Sequence, residues 1–296
     1  MNPPDIAPII PDATRRMVDV QNADAGKIAL HVSELGDGPP TLMIHGWPQH
    51  AGCWRHAAPL LAGDLRLICP DLRGFGASDA PGVGYDPATF AADMVALLDA
   101  LDIERVNVIG HDWGGAAAFE LALRHPARVD RILVLNTIPP WVAPSLGVLK
   151  ASIRSWYAVA LAAAGDRFVR TQPERLAAGM RRDVQHTGYF THADALAYAR
   201  VLTEPDRALA TKLLYRSYVG IASRATRGGD HAGDRLTQPT HFLFATGDLA
   251  VSTAYLSGIE SHADDLVVEL HNGSGHFVCE ELPHTVADRA RALFLR

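Results

Sequence analysis

The sequence has few cysteines and no long apolar segment, and these absences exclude several classes of protein. Its three cysteines, Cys53, Cys69 and Cys279, form no CxxC pair and no metal-ligand spacing, which favours a reducing compartment over a disulfide framework. No apolar run approaches the ~20 residues that span a bilayer, and the first residues lack the basic and apolar regions of a signal peptide. We therefore expect a cytoplasmic protein with no membrane partner.

Positive charge is also scarce. The 296 residues include 27 Lys and Arg against 33 Asp and Glu, a net charge of −6, and this balance argues against a nucleic-acid partner. With 48% hydrophobic and 20% charged residues, the composition is that of a globular protein. No spacing of residues indicates a metal or another cofactor. The length suits one large domain or a domain with an insert, and a homodimer is left open.

Apolar patterns of strand and helix alternate along most of the chain, which predicts an α/β fold with a mostly parallel sheet flanked by helices. The predicted strands cover residues 16–21, 27–35, 41–44, 65–69, 106–110, 129–135, 240–245 and 266–270. Helices are expected at 52–61, after an N-cap at Asp86, after the turn at 110–114, near 253–261 and at 280–295.

The alternation stops after the sixth strand. Helical patterns without strands occupy residues 144–164, 173–182, 193–203 and 206–222. The sequence therefore predicts a core domain of residues 1–136 and 239–296, with a helical cap of residues 137–238 inserted into it.

One stretch combines a buried strand, a sharp turn and a helix. Glycines in Gly110-His111-Asp112-Trp113-Gly114 bracket the turn, which leads from a β-branched run into an alanine-rich helix. This order is typical of a nucleophile elbow, a tight bend that lifts one side chain above the sheet. Asp112 stands where such elbows usually have serine. A plain turn without chemistry is the alternative, because Asp and Gly favour turns anyway.

The carboxylate at this position restricts the chemistry. A carboxylate that attacks a carbonyl leaves a reactive anhydride, whereas attack at an sp3 carbon leaves an ordinary ester that water can cleave. The expected electrophile is therefore an epoxide or an alkyl halide.

Partners for Asp112 are expected in loops beyond the carboxyl ends of other strands. Asp248 follows the first strand after the insert, and His276 follows the last strand in a glycine-rich loop. The order nucleophile, acid, histidine is that of an α/β-hydrolase triad. In some α/β-hydrolases the acid follows the strand before the insert. Here that position holds Asn136, which cannot stabilise an imidazolium as a carboxylate does.

Two backbone N–H groups are predicted to stabilise an oxyanion, that of Trp113 after the nucleophile and that of Trp47 in His45-Gly46-Trp47-Pro48. A strand-to-helix turn without this role is the alternative for the latter motif.

In the glycine-rich loop at 71–79, Asp71 and Arg73 are expected to form a bracing ion pair.

These motifs resemble those of the α/β-hydrolase epoxide hydrolases, with haloalkane dehalogenases as close neighbours. The resemblance extends over nearly the whole chain through HGWP (45–48), DLRGFGASD (71–79), GHDWGG (110–115), GD (247–248) and GSGHF (273–277). It implies a covalent ester on Asp112 that is hydrolysed by water activated by His276 and Asp248. The implied partners are a small hydrophobic epoxide and water.

The resemblance also implies two cap tyrosines that donate hydrogen bonds to the epoxide oxygen. Leu213-Leu214-Tyr215-Arg216 looks like the family's second tyrosine motif, and Tyr157 is the best match for the first. Haloalkane dehalogenation with the same triad is the alternative, in which Trp113 and Trp156 would hold the halide. A catalytically silent α/β-hydrolase used for binding is the third possibility, although such proteins usually lose the nucleophile or the histidine.

Overall fold

The strands form one eight-stranded sheet, in which the central strands are buried and the edge strands are partly exposed. The computed structural model describes residues 6–186, 188–225 and 230–296. The strands are β1 (Thr14–Asn22), β2 (Gly26–Leu35), β3 (Pro40–Ile44), β4 (Arg66–Pro70), β5 (Val106–His111), β6 (Val129–Leu135), β7 (Thr240–Ala245) and β8 (Leu266–His271). All eight predicted strands are therefore present.

The sheet is mostly parallel, with the strand order β1-β2-β4-β3-β5-β6-β7-β8. β1 pairs antiparallel with β2, and β2 pairs antiparallel with β4, while all later neighbours are parallel. β5 lies in the middle of the sheet, and each of its six residues is buried. This burial explains the β-branched residues Val106, Val108 and Ile109, because a central parallel strand is covered on both faces.

Helices flank the sheet and follow the strands in the order that the sequence predicts. They are α1 (Ala58–Leu61), α2 (Pro87–Ala100), α3 (Trp113–Arg124), α4 (Leu146–Arg154), α5 (Trp156–Thr171), α6 (Pro173–Arg182), α7 (His192–Val201), α8 (Pro205–Ala225), α9 (Val278–Glu281) and α10 (Pro283–Phe294). Asp86 caps α2 as predicted, since its carboxylate accepts a hydrogen bond from the backbone N–H of Thr89. Within the described ranges, no helix is long and apolar enough to cross a bilayer.

The described residues between β6 and β7 form five helices, α4 to α8, where the sequence predicts a helical insert. The helical pattern predicted at 144–164 is confirmed, but it forms two helices, α4 and α5, because the chain breaks at Ser155. The helical spacing of apolar residues continues through this break, so the sequence carries no sign of it. α5 packs along α8.

Three other predicted helices are shorter than expected. The helix predicted at 280–295 is divided into α9 and α10 at Pro283, which begins a new helix because it lacks a backbone N–H. The segment at 52–61 forms a 3₁₀ turn, Ala51–Trp54, before α1, and the segment at 253–261 contains two 3₁₀ turns.

The predicted ion pair between Asp71 and Arg73 is wrong. The fully buried Arg73 guanidinium instead binds Asp93 of α2 with two hydrogen bonds, of 2.5 and 2.6 Å. Asp71 accepts hydrogen bonds from the backbone N–H groups of Ala51 and Ala77, at 2.8 Å each. Each charged side chain thus braces the 71–79 loop against a different part of the core.

Candidate active site

The turn between β5 and α3 places Asp112 in a strained backbone conformation, with φ of 50° and ψ of −117°. Such a conformation is uncommon for a residue with a side chain and is held only where the surroundings enforce it. Glycines make this possible, because a Cβ on Gly46 would lie 2.5 Å from the Cβ of Asp112 and one on Gly114 would overlap the Ile44 carbonyl. The geometry is that of the predicted nucleophile elbow.

The Asp112 carboxylate is half-buried and held by backbone donors. Its Oδ2 accepts a hydrogen bond of 3.0 Å from the backbone N–H of Trp47, and the N–H of Trp113 also donates to the carboxylate. Burial raises the pKa of Asp112, and attraction to His276 and His111 together with these N–H donors opposes the increase. The two predicted oxyanion donors therefore point at the same carboxylate.

His276 and Asp248 meet beside Asp112 although they lie on different loops. His276 Nδ1 donates to Asp248 Oδ2 at 2.9 Å, and the histidine is buried. His111, the last residue of β5, donates from Nε2 to the carbonyl oxygen of His276 at 2.8 Å. The loop of His276 is thus held from both its side chain and its backbone.

Carboxylates surround His276 and determine its charge. Burial alone would lower its pKa, but Asp248, Asp112 and Asp183 overcome this effect and raise the pKa to about 10. With Asp112 ionised, His276 is therefore an imidazolium at neutral pH.

Asn136 occupies the other position considered for the acid, and it binds the predicted acid, Asp248. Its Nδ2 donates to Asp248 Oδ2 at 2.7 Å, and its Oδ1 accepts from the backbone N–H of Ala245 at 2.9 Å. Asn136 adopts a left-handed conformation with φ of 39° directly after β6. Its position after a parallel strand is the signal that could have identified it as a site residue.

The two predicted cap tyrosines lie near Asp112, on helices between β6 and β7. Tyr157 is on α5 and Tyr215 on α8, with ring centroids 6.3 Å apart. The Tyr215 ring packs edge-on against Trp47 and Trp113, with centroid distances of 5.1 and 6.3 Å. The aromatic rings therefore connect α5 and α8 to both predicted oxyanion donors.

Both tyrosines stay protonated at any physiological pH. Burial raises the pKa of each phenol, and the nearby charge of Asp112 adds to the increase in both Tyr157 and Tyr215. Tyr218, three residues after Tyr215, contacts Trp113 edge-on at 6.1 Å and also has a raised pKa. Its i, i+3 spacing from Tyr215 puts it on the same side of α8, a signal that the sequence analysis did not use.

A cavity of about 1380 Å³ joins these side chains. Its lining includes Asp112, His276, Tyr157, Tyr215 and Trp113. Trp156 also borders the cavity, but it is 70% exposed and lies at the surface. The volume exceeds the range of roughly 300–1,000 Å³ that is usual for small-molecule sites, so the cavity has room for a substrate above Asp112.

Comparison with known proteins agrees with this geometry. The family described as alpha/beta hydrolase fold matches residues 39–283. A soluble epoxide hydrolase of Corynebacterium sp. (strain C12) is 31% identical over 283 residues, which are 90% of this chain and 93% of that protein. A fluoroacetate dehalogenase of Burkholderia sp. is 38% identical over 133 residues, 43% of this chain and 42% of that protein.

Solved structures show the same relationship. The epoxide hydrolase CorEH, without ligand, superposes with a TM-score of 0.75 at 27% identity, over 96% of this chain and 100% of that one. The chain is therefore a hydrolase that belongs to the α/β-hydrolase fold family, alongside soluble epoxide hydrolases.

Proposed function

We propose that this protein is an epoxide hydrolase that converts a small hydrophobic epoxide into a vicinal diol through an ester on Asp112. The observation that carries the proposal is the pairing of the half-buried Asp112 carboxylate with two protonated cap tyrosines, Tyr157 and Tyr215, around one cavity. In this proposal residues 137–238 form the cap that supplies the tyrosines, and residues 1–136 and 239–296 form the core.

The first step opens the epoxide ring. One Asp112 oxygen attacks an epoxide carbon, the carbon–oxygen bond breaks, and a tyrosine hydroxyl gives its proton to the departing oxygen. The product is a hydroxyalkyl ester on Asp112, and the tyrosinate regains its proton, through water, from the His276 imidazolium, which leaves His276 neutral. A proton donor is needed because an alkoxide is a poor leaving group.

The second step cleaves the ester. His276 takes a proton from water, whose oxygen attacks the Asp112 carbonyl carbon, and the N–H groups of Trp47 and Trp113 hold the oxyanion. The diol then leaves with the proton from His276, and the acid proton of Asp112 passes to His276, which restores the carboxylate and the imidazolium. Asp248 holds the imidazole throughout.

The charge around His276 makes these steps sequential. While Asp112 is ionised, its charge helps to raise the pKa of His276 to about 10, so the imidazole is not available as a base. Ester formation removes that charge, and the pKa of His276 falls towards neutrality. The base therefore becomes active when there is an ester to hydrolyse.

Halide chemistry with the same triad is the second candidate, since the fluoroacetate dehalogenase relative shares part of the sequence. A halide leaves as a stable anion and is held by N–H donors rather than protonated. Trp113 is available for such a role, but Trp156, the other proposed donor, is 70% exposed. The tyrosine pair favours the epoxide reaction. A silent binding protein is disfavoured because Asp112, Asp248 and His276 retain hydrogen-bonded contacts.

The proposal is tested with a panel of epoxides, haloalkanes and fluoroacetate, followed by a single turnover of the best epoxide in heavy-oxygen water. We expect diol formation by the native protein and none by Asp112→Ala. In the first turnover the heavy oxygen should enter Asp112 and be absent from the diol. Heavy oxygen in the first diol would instead mean direct attack by water and overturn the covalent mechanism, while halide release without diol would favour the dehalogenase.

A further inference from the structure

The segment between α6 and α7 touches both loops that carry the proposed acid and base. The Asp183 side chain accepts a hydrogen bond at Oδ1 from the backbone N–H of Leu249, the residue after Asp248, at 2.9 Å. The Asp183 carbonyl oxygen accepts from the backbone N–H of His276 at 3.1 Å. A single cap residue therefore holds the acid loop through its side chain and the base loop through its main chain.

Glu281 fixes the same segment from the core. Its Oε2 accepts from the backbone N–H groups of Gln185 and His186, at 2.7 and 2.9 Å, and its Oε1 accepts from Gly275 N–H at 3.0 Å. Glu281 lies on α9, five residues after His276, and is only 3% exposed. One buried carboxylate thus joins the cap segment to the residue that precedes the histidine.

The loops approach too closely for side chains at two glycines. A Cβ on Gly275 would overlap the carbonyl oxygen of Asp183, and one on Gly247 would lie 2.6 Å from the carbonyl oxygen of Ser274. Gly247 N–H also donates to that Ser274 carbonyl at 3.1 Å. Backbone therefore packs directly on backbone where the cap segment and the two loops meet.

We propose that Asp183 is a positioning residue for His276, and that Asp183 and Glu281 form a carboxylate clamp that locks the cap to the acid and base loops. Its link to ester hydrolysis rests on the proposed function. In this arrangement the cap does more than cover the substrate, because it also fixes the orientation of the base.

Charge strengthens the positioning. Asp183 is 8% exposed, and burial raises its pKa to about 6 against the attraction of His276, so it is ionised at neutral pH. The titratable groups that face His276 are Asp248 after β7, Asp112 in the elbow, Asp183 after α6, His111 at the end of β5 and Cys279 of α9. In the described part of the chain, Asp183 is the only one of these five groups that lies between β6 and β7.

Three substitutions separate the contributions of the clamp. Asp183→Asn keeps an oxygen acceptor for Leu249 and removes the charge, whereas Asp183→Ala removes both. Glu281→Gln weakens the other half of the clamp. Glu174→Gln is the matched control, since Glu174 lies on α6 and its side chain is 64% exposed. Circular dichroism and thermal unfolding establish that each variant folds.

The primary measurement is the titration of the His276 ring by NMR, assigned with a His276→Gln variant. We expect Asp183→Asn to lower the pKa of His276 by about 1, as for the loss of a nearby opposite charge. Single turnovers are measured at a pH where the imidazole is neutral in each variant. There a base that is weaker by about one pKa unit and held less firmly should slow ester hydrolysis about tenfold in Asp183→Asn and more in Asp183→Ala, while the alkylation rate stays near that of the native protein. Glu281→Gln should slow the same step, and Glu174→Gln should change neither quantity.

If both folded Asp183 variants keep the native pKa of His276 and the native rate of ester hydrolysis, the proposal is overturned. Equal slowing of alkylation and hydrolysis would also overturn it, because that result indicates general damage to the site. The NMR titration needs no substrate, so a protein that forms no ester with any epoxide would contradict the proposed reaction and still leave the role of Asp183 decided.

Discussion

Asn136 Nδ2 donates a 2.7 Å hydrogen bond to Asp248 Oδ2, the same oxygen that accepts from His276. The other oxygen of Asp248 accepts from the backbone N–H groups of Ala250 and Val251, at 2.6 and 2.8 Å. Burial alone would raise the pKa of Asp248, but His276 and these donors lower it, so the carboxylate stays ionised. Four donors fix its position, and only one of them is the histidine.

Removing the amide of Asn136 is expected to impair the second step selectively. Asn136→Gly is the informative change, because its φ of 39° suits glycine and adds no strain. A hydrogen bond to a charged group contributes about 1.5–3 kcal/mol, so ester hydrolysis should slow by about ten- to a hundredfold. Rapid-mixing measurements of ester decay check this. Equal loss of the alkylation rate would show that the substitution disturbs more than Asp248.

His276→Gln is expected to stop the reaction after the ester has formed. Glutamine cannot take a proton from water, whereas attack by Asp112 does not need the imidazole. Intact-protein mass spectrometry after incubation with a proven epoxide should show a mass increase of one substrate. Normal turnover by this variant, or a complete lack of adduct, would count against the division of roles.

The charge of Asp112 should raise the pKa of His276, and an NMR titration of the ring measures this effect. The pKa of His276 in the folded protein is about 10, above its ordinary value of 6.5. The imidazolium therefore stabilises the folded state fully below pH 6.5. This contribution is lost as the pH rises towards 10. Asp112→Asn resembles the ester in having no charge, and NMR should find a pKa of His276 lower by about 1–3 in that variant. An unchanged titration would remove the basis for the proposed sequence of steps.

The sequence predicts the sheet because its strands are short β-branched or alternating apolar segments between turn residues, as β5 and β1 illustrate. It also predicts which loops carry Asp112, Asp248 and His276, since parallel strands end at one edge. The sequence patterns do not predict contacts between distant segments. Arg73 binds Asp93, and Asp183 meets His276 across 93 residues, neither of which a local pattern encodes.

The buried pair of Arg73 and Asp93 should be a main determinant of stability. Both side chains are fully buried, so Arg73→Met leaves an unpaired charge on Asp93 and should lower the free energy of unfolding by about 3–5 kcal/mol. Lys27→Met is the control, since its ion pair with Asp19 is exposed and should contribute less than about 1 kcal/mol. Urea denaturation measures both. Similar stability losses in the two variants would contradict the importance of burial.

The cap tyrosines decide between epoxide and halide chemistry. Tyr157→Phe and Tyr215→Phe should each slow alkylation of Asp112 by about 10²–10³, as for removal of one oxyanion donor worth about 2.7–4 kcal/mol. Each single variant keeps one hydroxyl, so ring opening continues slowly. The double variant lacks a proton source and should nearly stop, with its fold checked by circular dichroism.

A halide needs no acid, so a dehalogenase would respond in the opposite way. The double phenylalanine variant would then keep much of its activity on haloalkanes, while Trp113→Phe would lose it. Pre-steady-state alkylation rates with both substrate classes distinguish the outcomes. Unchanged epoxide opening in the double variant would mean that neither Tyr157 nor Tyr215 is the proton donor. Since Tyr218 faces Trp113 from the same helix, Tyr218→Phe would be the next variant to measure.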